Sequence, residues 1–298
     1  MQIKRQMFKS ILKRLILLAT QSNLTRKLLF KIKELIPATC HIINTIPIPN
    51  KLKPFLIIGG VKLTFSSPER CTFSRQIYWN HGNILPIEDK MALEIYLRIA
   101  SLCSTTFDIG CNSCQFSISA CSANAGLEAY AFDLLPEAIA IARKNVLINN
   151  ISTARFHLEN IGISDTCGTK LVPLSKYSPS LMTAFAIDTY TQTSLKELTR
   201  KDITTLDNYM NGFDVESLTG MSIFKIDVEG FEHRVLRGAE DTIQKLMPTM
   251  ICEVRDKSSP KEIQEFLSRH DYAYFLITDT GISFSRDIYI HDKFRAEF

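Results

Sequence analysis

Between residues 105 and 278, short apolar runs alternate with longer segments of helical period, and no other feature narrows the fold as much. Strands are expected at Thr105–Ile109, Glu128–Asp133, Ala154–Leu158, Ser222–Asp227, Thr249–Val254 and Ala273–Thr278, with a further one at Asp287–Ile290. Helices fall between them, most clearly Pro136–Asn149, Phe231–Leu246 and Pro260–Arg269. Strands joined through helices run parallel, and the helices cover both faces of the sheet. The pattern therefore predicts an α/β fold.

The remaining chain divides from this part by composition. Residues 1–37 are expected to form a basic helical arm, residues 38–86 a connector with a short β-hairpin, and residues 87–298 the α/β domain. In the arm, Met7, Ile11, Leu15 and Leu18 fall on one helical face over Ile3–Ala19, with Arg5, Lys9 and Lys13 opposite. A second basic helix is expected over Leu24–Ile36, stopped by Pro37. In the connector, Phe55–Phe65 reads as two strands around a Gly59-Gly60 turn, and a helix opens near Pro86 and runs to about Leu102. The stretch from about Asp165 to Met221 is too long for a plain crossover, which makes it the candidate acceptor-binding region.

Charge is unevenly placed. The first 33 residues hold nine Lys or Arg and no acid, which leaves 26 basic against 31 acidic residues, a balance of −5, from Glu34 onward. A basic arm on a mildly acidic body points to a contact made by the arm, with a partner or at the inner membrane surface. It does not point to a body built around nucleic acid. The eight cysteines are scattered, and only Cys111 and Cys114 have C-x-x-C spacing with no second pair to complete a metal set. A cytoplasmic setting and no metal are expected.

The chemistry concentrates in the turn Phe107-Asp108-Ile109-Gly110-Cys111-Asn112-Ser113-Cys114, between an expected strand and a helix. Gly110 permits a tight backbone turn close to a ligand, and Asn112 tolerates the left-handed region. Asp133 ends the next strand 23 residues after Gly110, where an acid can accept hydrogen bonds from ribose hydroxyls. A dinucleotide turn needs G-x-G-x-x-G to approach a diphosphate, and the chain contains no G-x-G. Asp108 beside the turn suits a cofactor with an amino-acid moiety and a sulfonium, so S-adenosylmethionine is the expected cofactor.

Further on stands Phe224-Lys-Ile-Asp-Val-Glu-Gly-Phe-Glu232, followed by Val235-Leu-Arg-Gly-Ala239, Pro248 and Glu253. This series resembles the signature of the FkbM family of methyltransferases. Thr204-Thr-Leu-Asp207, Ile161-Gly-Ile-Ser-Asp165 with Gly168, and Asp108-x-Gly110-x-Asn112 resemble the family's other motifs, in order, across about residues 85 to 255. The resemblance implies a class I (Rossmann-like) methyltransferase domain whose sheet has seven strands, the last antiparallel. It implies cofactor contacts at Asp108, Gly110, Asn112 and Asp133, and an adenine contact near Glu159 and Asn160. The family's turn usually ends in Gly where this chain has Cys114, and that glycine allows close helix–strand packing.

Asp227 and Glu229 then stand as catalytic candidates lining the active site, although carboxylates there could equally cap the following helix. His233 reads as structural more readily than catalytic. The resemblance implies methyl transfer to an oxygen of a small-molecule or carbohydrate acceptor. A fourth strand ending in Asp-Val-Glu-Gly, without an [DN]-P-P-[YF] motif or a Pro-Cys dipeptide, speaks against a nucleic-acid substrate. A fold-retaining adaptor without catalysis is the other alternative, suggested by Cys114.

Overall fold

The structure, a computed structural model, describes residues 16, 18–174, 197–213, 218, 220–254 and 259–285. In chain order the elements are α1 (Asn23–Leu35), α2 (Cys40–Thr45), β1 (Phe55–Ile58), β2 (Val61–Thr64), α3 (Thr72–Trp79), α4 (Ile87–Ala100), β3 (Cys103–Ile109), α5 (Gln115–Ala123), β4 (Glu128–Phe132), α6 (Pro136–Ile148), β5 (Phe156–Glu159), β6 (Gly162–Ile163), β7 (Gly168–Leu174), β8 (Glu197–Thr204), α7 (Leu206–Met210), β9 (Met221–Ile226), α8 (Glu232–Arg237), α9 (Glu240–Leu246), β10 (Thr249–Cys252), α10 (Pro260–Arg269), β11 (Phe275–Thr278) and β12 (Gly281–Phe284).

The central sheet runs β10-β9-β3-β4-β5, and every neighbouring pair is parallel. The chain leaves β3 in one direction for β4 and returns on its other side at β9. That reversal opens a crevice at the carboxyl ends of β3, β4 and β9, where sheets of this kind bind ligands. The described sheet has five parallel strands, not the seven with an antiparallel last strand that the resemblance implied. β11 instead turns back on itself, pairing Phe275 with Phe284 and Thr278 with Gly281 in a separate antiparallel hairpin. Gly281, at φ +133°, takes a backbone conformation open to glycine, and the local partner uses the ladder hydrogen bonds. The expected strand Asp287–Ile290 lies outside the described residues.

Strand alternation sorts the two faces. Phe107, Ile109, Tyr130, Phe132, Phe224 and Ile226 pack as one cluster with Leu206, Val235, Leu236 and Ile243 from α7, α8 and α9. Ala129, Ala131 and Ile223 face the other way, toward Leu93, Tyr96, Ile118 and Cys121 of α4 and α5. Lys225 follows the same alternation and reaches the α5 side, with its ammonium 5.0 Å from the Phe116 ring centre. One face is therefore aromatic, whereas the other carries alanines and a row of polar side chains.

The region expected as one helix, Phe231–Leu246, is two helices broken at Gly238-Ala239. Apolar periodicity continues through the break, so the cause is long-range. A Cβ on Gly238 would stand 2.0 Å from the carbonyl oxygen of Ser164, a clash no side chain could relieve. Asp207 restarts the helix by accepting hydrogen bonds from the Thr242 amide (2.8 Å) and hydroxyl (2.6 Å). Its own amide donates to the Gly238 carbonyl at 3.0 Å. Three separated motifs thus meet at one junction. The third strand begins at Phe156, because Thr153–Arg155 forms a 3-10 turn in place of the expected strand start.

The connector also holds two helices that were not expected there, α2 and α3. Gly59 and Gly60, at φ +55° and +77°, make the two-residue turn between β1 and β2. α1 lies where the second basic helix was expected. Its Phe30 ring stacks on His81 and packs at a tilt against Tyr78 and Trp79, and Lys33 donates to the Trp79 carbonyl at 2.6 Å. Of the first expected helix, only residues 16, 18 and 19 are described. Within the candidate acceptor region, β6, β8 and β7 form a small mixed sheet, and residues 175–196 lie outside the described residues.

Gly238→Ala is expected to destabilise the fold by about 1–3 kcal/mol, the usual scale of overpacking. Urea denaturation should show a lower midpoint with an unchanged slope. An unchanged midpoint would mean that the Ser164 backbone gives way freely.

Candidate functional site

The turn after β3 is fastened to β4. The amides of Gly110 and Cys111 both donate to the Phe132 carbonyl, at 3.0 and 2.9 Å. Gly110 has φ +81°, and a Cβ there would stand 1.8 Å from the Asp227 carbonyl oxygen. Only glycine lets the turn lie directly on the end of β9. Asn112, at φ +49°, and Cys114, at φ +59°, both adopt left-handed backbone. The Cys114 position therefore favours glycine for its backbone as well as for packing. Cysteine there stores on the order of 1–2 kcal/mol of strain, and its fully buried side chain shows that the surroundings hold it.

Asp133 joins this turn to β5. Its carboxylate accepts from the Asn112 amide at 2.9 Å and from the Leu135 amide at 2.8 Å. The exposed Asn160 donates from its side-chain amide to the Asp133 carbonyl at 2.8 Å. Burial pushes the Asp133 carboxyl up to about 6, and the two amides oppose the rise by stabilising the ionised form. Each carboxylate oxygen still has a lone pair beyond the one its amide uses. Gly110, Asn112, Asp133 and Asn160 thus form one bonded cluster at the mouth of the crevice.

Asp108 is placed differently. It is 2% exposed and accepts from the hydroxyl and the amide (3.3 Å) of Ser117. It lies beneath the turn, where it anchors the start of α5. Burial raises its pKa, against the opposing pull of Ser117 and Lys225.

At the end of β9 the amide of Asp227 donates to the Ile109 carbonyl at 3.0 Å. Its carboxylate, 31% exposed, pairs with the Lys225 ammonium at 3.1 Å. Burial alone would lower the pKa of Lys225, but Asp227, Glu253 and Asp108 surround it and raise it overall. The lysine therefore stays charged inside the protein. Glu229 follows at φ +58° in a half-buried loop, a strained backbone for a non-glycine residue. Glu232 holds that loop: only 1% exposed, it accepts from the amides of Val228 (3.0 Å) and Gly230 (3.1 Å).

Asp227 directly follows β9, Glu229 lies two residues on in the loop, and Glu232 accepts hydrogen bonds from the amides of that loop. Lys225 and Glu232 were not among the sequence candidates. A lysine at an inward position of a buried strand, and an acid two residues after Gly230, were the available signals. Across the crevice the Tyr209 hydroxyl of α7 donates to Glu159 at 3.1 Å. Cys111 and Cys114 are free and buried, and burial pushes both thiols up, away from the reactive thiolate.

A parallel sheet with a glycine turn after its central strand, and an acid after the next, defines the class of α/β proteins that hold nucleoside-containing cofactors at the switch point. The model of the Methyltransferase FkbM domain matches residues 68–274, and the chain belongs to the FkbM methyltransferase family. No curated protein matches the chain. Among solved structures it is similar to the methyltransferase FkbM from Methylobacillus flagellatus KT, at 14% identity and a TM-score of 0.44, over 70% of this chain and 50% of that one. The chain thus spans about half the length of that relative. It is also similar to precorrin-6y C5,15-methyltransferase from Geobacter metallireducens GS-15, at 13% identity and a TM-score of 0.34, over 62% of this chain and 74% of that one.

Lys225→Met should destabilise the fold by roughly 2–4 kcal/mol, less than a fully buried broken pair because Asp227 is partly exposed. Lys225 binds its proton more tightly folded than unfolded, so its contribution is intact across neutral pH and is lost only in the alkaline range. The deficit of the variant should shrink on acidification, as the abandoned carboxylates protonate. A deficit independent of pH between neutral and acid would show that the loss is one of packing.

Proposed function

We propose that the chain is an S-adenosylmethionine-dependent methyltransferase that methylates an oxygen of a small-molecule or carbohydrate acceptor. The observation that carries the reading is the Asp133 cluster, held against the Asp227 end of β9 by the close approach at Gly110. The residues fit the cofactor. Asp133 keeps acceptor capacity for ribose hydroxyls, Asn160 and Glu159 would meet the adenine, and the backbone from Gly110 to Asn112 would face the amino-acid moiety. Asp108 supports that turn from below.

Bound S-adenosylmethionine supplies a methyl group already activated by its sulfonium, so the protein's work is alignment and exclusion of water. Asp227 is held in place by Lys225 and reaches the crevice edge, where it can accept a hydrogen bond from an acceptor hydroxyl and orient it. Glu229, carried on the loop that Glu232 clamps, would take the hydroxyl proton. The arms β7 and β8, together with α7, border the crevice as the acceptor region. Eight free cysteines support a cytoplasmic setting. Among the described residues no helix is long and apolar enough to cross a membrane.

Asp133→Asn should weaken S-adenosylmethionine binding by about 1.5–3 kcal/mol, the scale of a hydrogen bond to a charged group. In the parent protein, affinity should fall as pH drops through about 6, because protonation removes an acceptor. Calorimetry across that range should show the fall in the parent and a flat profile in the variant. A parent profile without a step near that pH would place the ribose elsewhere.

Asp227→Asn and Glu229→Gln should keep cofactor affinity while one or both lose about 10²–10⁴-fold in turnover. Transfer of labelled methyl into cell extract and glycan pools gives the readout. Full turnover in both variants would leave alignment alone as the catalytic device.

A further inference from the structure

α1 has two apolar sides, and the fold accounts for only one. The inner side is fixed to α3: Phe30 packs on Tyr78 and Trp79, and Lys33 donates to the Trp79 carbonyl and to Asn44 at 2.8 Å. On the opposite side Leu24, Leu28 and Leu35 recur at helical spacing and form one stripe. They are 77%, 57% and 80% exposed. Lys27 and Lys31 are exposed on the same side, and the apolar surface continues at Ile36 and Ile42. A helix of a globular protein ordinarily turns one apolar stripe inward and a polar face outward. Here the outward face is leucine flanked by two lysines, with the exposed Glu34 at its edge.

The charge around the stripe selects its occupant. The first 33 residues carry nine basic side chains and no acid. A second copy docking through the same face would bring an equal positive charge against it. A nucleic acid would pair with the lysines and leave the leucines in water. A surface that offers both apolar depth and negative charge is an anionic bilayer, where a basic amphipathic helix lies in the interface with its apolar face in the acyl boundary.

We propose that the Leu24–Leu28–Leu35 face of α1 is an in-plane docking surface for anionic membranes. Lys27 and Lys31 meet the headgroup phosphates. The inner contacts of Phe30 and Lys33 tie the helix to the body, so docking sets the attitude of the whole protein at the membrane. This inference is independent of the methyl-transfer reading.

The test is co-sedimentation of the full chain with sucrose-loaded vesicles of pure phosphatidylcholine, or of phosphatidylcholine with added phosphatidylglycerol. The parent protein should pellet with the anionic vesicles, less so at high salt, and at least about tenfold more weakly with the neutral ones. A triple variant, L24S with L28S and L35S, should lose at least about tenfold in partitioning. Its circular dichroism should stay unchanged, because the leucines face outward. A double variant, K27E with K31E, should lose binding to the anionic vesicles while every leucine stays in place. Equal pelleting of parent and triple variant would overturn the proposal, as would no pelleting of the parent. A parent dimer that the triple variant dissociates, with neither protein on vesicles, would assign the face to a second copy instead.

Discussion

The crevice depends on one close approach, the backbone of Gly110 lying on the carbonyl of Asp227. A side chain at residue 110 would overlap that oxygen at 1.8 Å, so the turn after β3 and the end of β9 can meet only through glycine. The contact is reinforced by the Asp227 amide on the Ile109 carbonyl, and by the Gly110 and Cys111 amides on Phe132. Three strand ends are thereby locked at one level. The acid that follows β4 and the acid that follows β9 acquire a fixed separation without touching each other. Cofactor recognition and acceptor chemistry, as proposed, share this floor.

Below it lies a second constraint. The α5 side of the sheet buries Asp108, Lys225 and parts of Asp227 and Glu253 where the other side buries aromatic rings. Isolated charges would be costly there, and the lysine among three carboxylates makes the set tolerable. The arrangement also restrains the Asp227 carboxylate through its pair with Lys225. Glu232 performs the matching task for the backbone, because it satisfies the amides that the loop around Glu229 would otherwise leave unpaired. Electrostatics and backbone accounting, rather than apolar packing, set the position of both candidate catalytic groups.

The strands of the central sheet and their parallel pairing were legible because short apolar runs alternating with helical segments survive in any context. The ordered motifs from Asp108 to Glu253 fall at the strand ends around one crevice, and Phe224, Lys225 and Ile226 alternate as their pattern requires. What escaped the sequence was decided at a distance. The break at Gly238 comes from Ser164, which no local window contains. The buried Asp108 accepts from Ser117 in the first turn of α5, a contact made across the turn that no strand pattern expresses. α3 was hidden because its inner face includes the buried Arg75, whose guanidinium bonds to Thr72 at 3.1 Å and mimics a polar surface position in sequence. β11 found a partner in β12 rather than in the central sheet, a choice that hydropathy cannot express.

The central claim is that the crevice bounded by Gly110, Asp133 and Asp227 holds S-adenosylmethionine with its methyl directed toward the β9 end. A crystal structure of the full chain with S-adenosylhomocysteine tests it most directly. The account requires the ribose hydroxyls on the Asp133 carboxylate, the adenine beside Asn160, and the sulfur facing Asp227. Clear density for the ligand anywhere else, or a crevice that stays empty at saturating ligand, would contradict it.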